Sequence, residues 1–181
     1  KQQEAVDLDR LKNRATAPSA SDIDPDVTAA WIMQPSTDDT GRFDDTFAAT
    51  IRIYVTDVKV GGVETSNCHA TQKLYRDTHI EGNAIGPSYN GQPMIVEVTP
   101  RWRAAMKRAG VDWSTDTLHD TLIGHWIEVT GWMLEDSEHR TNAVNSTSTV
   151  THKPGSKSNI WRQTTWEIHP ITSLTVTGEP Q

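Results

Sequence analysis

Histidines and acidic side chains alternate with apolar residues in three separate segments of the sequence. His79 and Glu81 stand two residues apart, as do Glu167 and His169, and Glu97 stands between two valines. A spacing of two places both side chains of a pair on one face of a β-strand. Imidazole and carboxylate groups bind Zn²⁺, Mn²⁺ and similar divalent ions, and they also transfer protons. These five residues are therefore candidates for a metal site or an acid–base site.

The same alternation has a simpler interpretation, in which these polar residues form the solvated outer face of a barrel. The inner face would then hold the apolar residues of the same strands, Ile80, Val96, Val98, Trp166 and Ile168. Both interpretations place the five candidate ligands on one side of three strands. They differ in whether those side chains meet each other or water.

A second polar cluster follows the fourth predicted strand. Asp136, Glu138 and His139 lie close together there, and His69 lies in an earlier loop. These side chains could coordinate a cation or orient a polar ligand. Alternatively, they form a solvated acidic turn or a network that holds the following loop in place.

Basic and aromatic residues are interleaved on both sides of that loop. Phosphates need cations and unstacked bases need flat aromatic faces, so such a mixture is typical of single-stranded nucleic-acid binding. The candidate ligand-binding residues are Tyr75, Arg76, Lys153, Lys157, Trp161 and Arg162. In the alternative, Trp161 belongs to the core and the lysines only keep the loop soluble.

Composition limits the classes of function. The chain has 181 residues, which suits one domain with a tail, and its formal net charge of −7 works against indiscriminate binding to the phosphate backbone. A single cysteine excludes an intrachain disulfide and a cysteine zinc cluster. The sequence contains no apolar run of about 20 residues, the length needed to span a membrane.

The pattern predicts an N-terminal arm over residues 1–45 and a domain over residues 46–181. The arm is expected to be extended or weakly helical, with an apolar patch around Trp31 that docks on the domain. Five strands are predicted in the domain, over 46–60, 77–83, 93–98, 124–134 and 161–177, the last bent at Pro170.

One short helix is predicted after the third strand. Thr99 suits its N-cap, Pro100 its first position and Gly110 its end. Trp102 and Met106 lie on its apolar stripe and would anchor it as a plug at one end of a barrel, while Arg103 lies off the stripe and would solvate the helix.

The order β-β-β-α-β-β is that of a five-stranded OB-fold-like Greek-key barrel, so the fold class is mainly β with one short helix and an N-terminal arm. A small open α+β sheet is the alternative. Nothing in the periodicity itself requires the barrel to close.

Four segments of the domain resemble a group of uncharacterised bacterial exported proteins and lipoproteins with an OB-fold that are described as nucleic-acid-binding. The segments are RDTHIE, IVEVTPRWR, VTGWMLEDSEH and WEIHPITSLTV, within residues 46–176. The resemblance implies export to the periplasm, the envelope or the outside of the cell. Thermonuclease-like OB-fold enzymes carry an arginine and an aspartate just ahead of the proline turn that ends their third strand. The corresponding stretch here, residues 96–101, has no such aspartate, so their catalytic residues are not transferred.

Three functional hypotheses follow. The first is an exported, non-enzymatic OB-fold module that binds single-stranded nucleic acid or oligosaccharide. The second is a metal-dependent hydrolase that uses the His and Glu residues of the barrel face with a divalent ion as its cofactor. The third is a structural envelope protein that contacts a protein partner through its N-terminal arm.

Overall fold

The computed structural model describes residues 2–146 and 159–179, with side chains from residue 6 onward. Five strands form a closed barrel in the order β1-β2-β3-β5-β4, which confirms the predicted OB-fold-like architecture. The strands are β1 Ala48–Val60, β2 Thr78–Asn83, β3 Met94–Val98, β4 Trp126–Glu135 and β5 Trp166–Thr177.

All neighbouring strands are antiparallel except β3 and β5, which run parallel with Val96 beside Ile168. The bend predicted at Pro170 coincides with a shift in the register between β4 and β5. Gly131 lies opposite, and a Cβ atom at that position would collide with the carbonyl oxygen of Pro170. β4 and β5 can approach this closely because the residue of β4 at the contact is a glycine.

Apolar side chains from all five strands fill the barrel. The five residues predicted for the inner face are all in this core, Ile80, Val96, Val98, Trp166 and Ile168. Strand alternation places every second residue of these strands inside, so the intervening polar residues must point outward.

In the described residues four α-helices accompany the barrel, α1 Gln2–Lys12, α2 Ala29–Met33, α3 Pro100–Arg108 and α4 Thr115–Leu122, where the sequence predicted one helix after the third strand and a weakly helical arm. The predicted start of α3 is confirmed, since Thr99 accepts a hydrogen bond from the backbone N–H of Trp102. Gly110 has the predicted positive φ, of 82°. The helix is nevertheless not the barrel plug.

The plug is α4, whose Leu118 and Leu122 enter the core together with Trp113. In α3, Trp102 and Met106 are only half-buried and Arg103 is the buried residue. The prediction that Arg103 solvates the helix is therefore wrong. Its guanidinium group instead donates hydrogen bonds to the chain that leads into β2.

Residues 2–45 lie against the barrel. Leu8 of α1 and Ile32 and Met33 of α2 are buried, and an isolated parallel bridge joins Ile23 to Ala48 at the start of β1. Trp31, expected to dock with this patch, remains 43% exposed. In the described part of the chain, no helix has the length and apolar character needed to cross a membrane.

Candidate metal centre

The register of three strands brings the predicted metal ligands together. His79 of β2 lies opposite Glu97 of β3, and the parallel pairing of β3 with β5 sets Glu97 beside Glu167 and His169. All four side chains point away from the core. Glu97 therefore occupies the middle of a polar row across β2, β3 and β5.

These outward side chains are buried. His79 Nε2 lies 2.8 Å from Glu97 Oε1, and His169 Nδ1 lies 3.3 Å from Glu97 Oε2 and 3.1 Å from Glu167 Oε1. The exposed fraction is 7% for His79, 2% for Glu97 and 0% for both Glu167 and His169. The interpretation as a solvated outer face is wrong for these four residues. Glu81 differs from them, because it is half-buried and forms an ion pair with Lys59 of β1.

Asp77 joins the group, although the sequence analysis did not select it. It precedes β2 and stands two residues before His79, so the spacing that selected the other pairs also applied to it. Asp77, Glu97 and His169 each offer a ligand atom, and these three atoms lie within 4.8 Å of one another. All three side chains are buried.

Each of these three residues has a polar atom without a hydrogen-bond partner among the residues that the structure describes: Asp77 Oδ1, Glu97 Oε2 and His169 Nε2. The other oxygen of Asp77 accepts a hydrogen bond of 2.5 Å from Asn67. The Nδ1 atom of His169 is hydrogen-bonded to Glu167, so in the neutral imidazole Nε2 carries the lone pair. An unsatisfied buried polar group costs about 1–3 kcal/mol, and a cation bound by these residues would lower that cost.

The electrostatics of the group are strongly perturbed. Burial raises the pKa of Asp77 to about 6. Burial opposes ionisation of Glu97 too, but His79 and His169 outweigh it and lower the pKa of Glu97 to about 2. Burial lowers the pKa of His169, and Glu97 with Glu167 and Asp77 outweighs this effect and raises it to about 9. Without a metal ion, a protonated His169 thus compensates part of the acidic charge.

The N-terminal arm covers one side of the centre. Lys12, the last residue of α1, is 2% exposed and its ammonium group lies 2.6 Å from Glu64. Burial lowers the pKa of Lys12, but the surrounding carboxylates, Asp136 and Glu97 foremost, raise it above its usual range. The arm therefore supplies a cation to a surface that the barrel alone would leave acidic and open.

A chain of ion pairs covers the other side. Arg162 binds Asp136 at 3.1 Å and Glu167 at 2.8 Å, and Asp136 also accepts a hydrogen bond of 2.5 Å from Nδ1 of His139. Asp136 and His139, of the polar cluster after β4, thus belong to a network that holds the segment leading into β5. Arg162 was predicted to contact a ligand. That prediction is wrong, because its side chain is 1% exposed and both its charged partners belong to the protein.

Trp161 lies over the centre and is half-buried. Its ring stacks at 6.3 Å from the ring of His79 and meets the ring of His139 edge-on at 5.3 Å. One indole therefore separates the buried centre from the half-buried His139.

Two other predicted ligand-binding residues, Tyr75 and Arg76, lie just before β2. Tyr75 is exposed, and the guanidinium group of Arg76 donates to the carbonyl oxygens of Gly61 and Gly62. Lys153 and Lys157 lie outside the described residues. The structure thus assembles the predicted metal ligands, with Glu81 apart, whereas the predicted nucleic-acid surface lies partly outside the described residues and stays a prediction.

No protein-family model matches the chain, and no curated protein matches it. A crystal structure from Leishmania major Friedlin, provisionally described as an aspartyl-tRNA synthetase, is similar over 100% of this chain, with 8% identity and a TM-score of 0.34. The match covers 27% of that structure, so the chain spans about a quarter of its length. A likeness this distant does not indicate a shared activity.

Proposed function

We propose that this protein binds one divalent metal ion on the outer face of β2, β3 and β5, with Asp77, Glu97 and His169 as ligands. The observation that carries the proposal is the convergence of their three buried ligand atoms within 4.8 Å, each residue having an atom with no hydrogen-bond partner in the described chain. A mixed set of two carboxylates and one imidazole suits Zn²⁺ or Mn²⁺.

The surrounding residues are arranged as supports for such ligands. Glu167 accepts the Nδ1 proton of His169, which fixes the tautomer that can bind a metal through Nε2, and Arg162 holds the other oxygen of Glu167. His79 contacts the Oε1 atom of Glu97, and Oε2 has no hydrogen bond within the described chain, although His169 Nδ1 lies 3.3 Å from it. Mutation of a carboxylate or carbonyl partner that orients a metal-binding histidine in this way typically lowers metal affinity by about 10- to 100-fold.

Calorimetry and thermal melting of the purified, chelator-treated protein test the proposal. We expect binding of Zn²⁺ or Mn²⁺ in a ratio of one ion per chain and a higher melting temperature, since an ion at 100 times its Kd adds about 2.7 kcal/mol to the free energy of unfolding. Asp77→Asn and His169→Ala should abolish the shift. The matched control is Glu128→Gln, which neutralises an exposed carboxylate on β4 and should leave the shift unchanged.

Two results would overturn the metal site. One is the absence of any heat or melting shift with Zn²⁺, Mn²⁺, Mg²⁺ or Ca²⁺ in the wild-type protein. The other is a shift that survives unchanged in a folded Asp77→Asn variant.

The pair formed by His139 and Asp136 favours a second candidate function, metal-dependent hydrolysis. Asp136 holds Nδ1 of His139, which is the arrangement by which a carboxylate orients an imidazole as a general base. The ring of Trp161 touches both this histidine and His79 of the buried centre. In such a reaction Asp77, Glu97 and His169 would hold the ion, which would supply a Lewis acid, and His139, oriented by Asp136, would take a proton from a group on its own side of the Trp161 ring.

Chromogenic phosphodiesters, phosphomonoesters and carboxylic esters, each offered with and without Zn²⁺ or Mn²⁺, test this candidate. We expect turnover that needs the metal and that falls in His139→Gln by about 10²–10⁴-fold, the usual contribution of a general base, with metal affinity unchanged. A metal-loaded protein that hydrolyses none of the three classes, or a His139→Gln variant of full activity, contradicts it.

The first hypothesis of the sequence analysis, a module for single-stranded nucleic acid or oligosaccharide, is supported by the barrel alone, which is a weak guide to function. The face that would bind an extended ligand is covered by Lys12 and Trp161 of the same chain. Export to the periplasm and a protein partner for the arm stay predictions, the former from the resemblance and the latter from the exposed Trp31.

A further inference from the structure

A cavity of about 160 Å³ lies between the N-terminal arm and β4, and three aromatic side chains line it, Trp31, Phe43 and Phe47. Its other wall residues are Asp24, Val27, Arg42, Asp44 and Met133. A water molecule takes about 30 Å³ of liquid volume, so the cavity has room for roughly five non-hydrogen atoms. None of its wall residues belongs to the metal centre.

Two of these aromatic rings are open to solvent, although they are large and apolar. Trp31 is 43% exposed and Phe47 is 44% exposed. The ring centroids of Trp31 and Phe43 lie 5.1 Å apart, with an angle of 74° between the ring planes. Exposed apolar side chains that meet at one concave place are typical of a binding site. The rings therefore form the walls of a cage that a ligand can enter from solvent.

The core holds the third ring in place. Phe43 packs edge-on against Trp166 at 5.4 Å, and the indole N–H of Trp166 donates to the backbone carbonyl oxygen of Asp39 at 2.8 Å. The carboxylate of Asp39 is buried and binds the guanidinium group of Arg42 at 2.6 Å. Because these contacts fix one wall before any ligand enters, binding requires little ordering there.

The charges around the rings favour a cation. Asp24 and Asp44 each accept a backbone hydrogen bond with one carboxylate oxygen, and among the described residues neither has a cationic partner within 4.0 Å. Hydrogen bonds from Thr46 hold the pKa of Asp44 below its usual range. The positive charge of Arg42 is compensated by Asp39. The lining thus has a surplus of negative charge at neutral pH.

The protein itself places a cation on one of the rings. The guanidinium carbon of Arg42 lies 5.2 Å from the centre of the Phe43 ring. The face of an aromatic ring is the negative part of its quadrupole and attracts cations. In the described chain, no arginine or lysine lies over the ring of Trp31 or Phe47. Those two rings offer the same attraction to a cation from outside the protein.

We propose that this cavity binds the trimethylammonium group of a small, free quaternary ammonium compound such as choline. The rings of Trp31, Phe43 and Phe47 would surround the methyl groups, and Asp24 and Asp44 would attract the positive charge. The site shares no residue with the metal centre and does not depend on the proposed metal function.

The apolar floor of the cavity favours a quaternary over a primary ammonium group. Val27 and Met133 are 4% and 1% exposed and line the cavity together. A primary ammonium group would lose hydrogen bonds to water against such a floor, whereas methyl groups gain free energy by leaving water. A trimethylammonium group with its attached carbon atom also has about the number of non-hydrogen atoms that the cavity holds.

Titration with choline tests the proposal, with its uncharged isostere, in which carbon replaces the nitrogen, as the matched ligand control. The readout is the indole ¹H–¹⁵N resonance of Trp31 at constant ionic strength. We expect a saturable shift with choline and weaker binding of the isostere by about 2- to 5-fold or more, the range of cation–π contacts. A shift that does not saturate, or equal affinity for the isostere, overturns the proposal.

Phosphocholine distinguishes a free molecule from the headgroup of a lipid, since both carry the trimethylammonium group. Its phosphate brings negative charge towards Asp24 and Asp44, so we expect weaker binding than that of choline. Tighter binding of phosphocholine would overturn the assignment to a free cation.

Two substitutions at Phe47 test the aromatic wall without disturbing the core, because this side chain is exposed. Phe47→Leu keeps an apolar side chain but removes the ring, and should weaken choline binding by about 2- to 5-fold. Phe47→Tyr keeps an aromatic face and should retain the wild-type affinity. Equal affinities of the two folded variants contradict the cage.

Asp44→Asn tests the contribution of charge and keeps a side-chain oxygen for the hydrogen bonds with Thr46. We expect choline binding to weaken by about 2- to 5-fold, the range of exposed charge interactions. The control is Asp26→Asn, which neutralises an exposed carboxylate of the arm that does not line the cavity and should leave the affinity unchanged. Equal effects of the two variants would show that choline responds only to the net charge of the protein.

Discussion

The outer surface of the barrel carries two polar faces that look alike in the sequence and differ in the structure. On β1 and β4, Arg52 pairs with Glu128 at 2.9 Å, with the two side chains 48% and 40% exposed. On β2 and β3, His79 pairs with Glu97 at 2.8 Å, with both side chains almost fully buried. We refer to these as the open face (β1 and β4) and the covered face (β2, β3 and β5).

The difference lies in what the rest of the chain does. Water solvates the open face, so its ion pair contributes little, about 0–1 kcal/mol. The arm and the chain before β5 exclude water from the covered face, where each charge loses its hydration and must find a partner in the protein. A cross-strand pair of opposite charges therefore adds little to stability on the open face, whereas on the covered face each charge needs its partner in the folded protein.

The strongest test of this comparison replaces an arginine on each face. Arg162→Ala leaves Asp136 and Glu167 buried without their cation and should lower the free energy of unfolding by about 3–5 kcal/mol. Arg52→Ala should lower it by less than about 1 kcal/mol. Urea unfolding measures both, and similar losses in the two variants would contradict the distinction between the faces.

Lys12 tests whether the arm contributes charge or only cover. Lys12→Met keeps most of the length and apolar character of the side chain but removes the buried cation beside Glu64, so we expect a loss of about 2–3 kcal/mol. Lys59→Met is the control on the barrel surface, where the side chain is 48% exposed, and should cost less than about 1 kcal/mol. If Lys12→Met is neutral in thermal and urea unfolding, the arm serves only as cover.

Two adjacent glycines sharpen the comparison at the level of one methyl group. A Cβ atom on Gly61 would lie 2.8 Å from the ring of His79, whereas one on Gly62 would meet nothing closer than 3.8 Å. Gly61→Ala must displace a buried ring of the covered face and should cost about 1–2 kcal/mol, whereas Gly62→Ala should stay within about 0.5 kcal/mol. The melting temperatures of the two variants provide the measurement, and equal values would show that His79 can move freely.

The smallest expected effect is a dependence on pH at the border of the covered face. A hydrogen bond with Asp136 raises the pKa of His139 above the usual 6.5. Burial and Arg162 lower this pKa, and Glu167 raises it, so the net shift is upward. A raised pKa in the folded state gives stability that is complete below pH 6.5 and is lost as the pH rises through the folded value.

His139→Gln should therefore flatten the decline in stability above about pH 6.5, by less than about 1 kcal/mol because the ring is partly solvated. Urea unfolding at a series of pH values measures the decline. An identical slope in the wild-type and variant proteins contradicts the assignment to His139.

Local signals in the sequence were sufficient to locate strands of the barrel, although they did not show that the barrel closes. Alternating residues located β2 at 77–83 and the structure places it at Thr78–Asn83, and the cap formed by Thr99 and Pro100 correctly located the start of α3. These features depend on neighbours within a few residues. The inner face followed from the same alternation.

The covering of the site could not be predicted in the same way. Whether Glu97 meets water depends on Lys12, 85 residues earlier, and on Arg162, 65 residues later, and no local pattern encodes those contacts. The helical stripe of α3 likewise assigned Arg103 to solvent, because the carbonyl groups that receive its hydrogen bonds come from a turn before β2. Asp77 was within reach of the sequence analysis, since it stands two residues before His79.

Two indole N–H groups fasten the arm to the barrel by its backbone. Trp102 donates to the carbonyl oxygen of Arg14 at 3.1 Å, and Trp132 donates to that of Thr16 at 2.9 Å. Every residue type has a backbone carbonyl group, so these two hydrogen bonds do not depend on which side chains the segment carries. Substitutions around residues 15–21 can therefore accumulate during evolution without moving Lys12 from the centre that it covers, provided the two tryptophans remain.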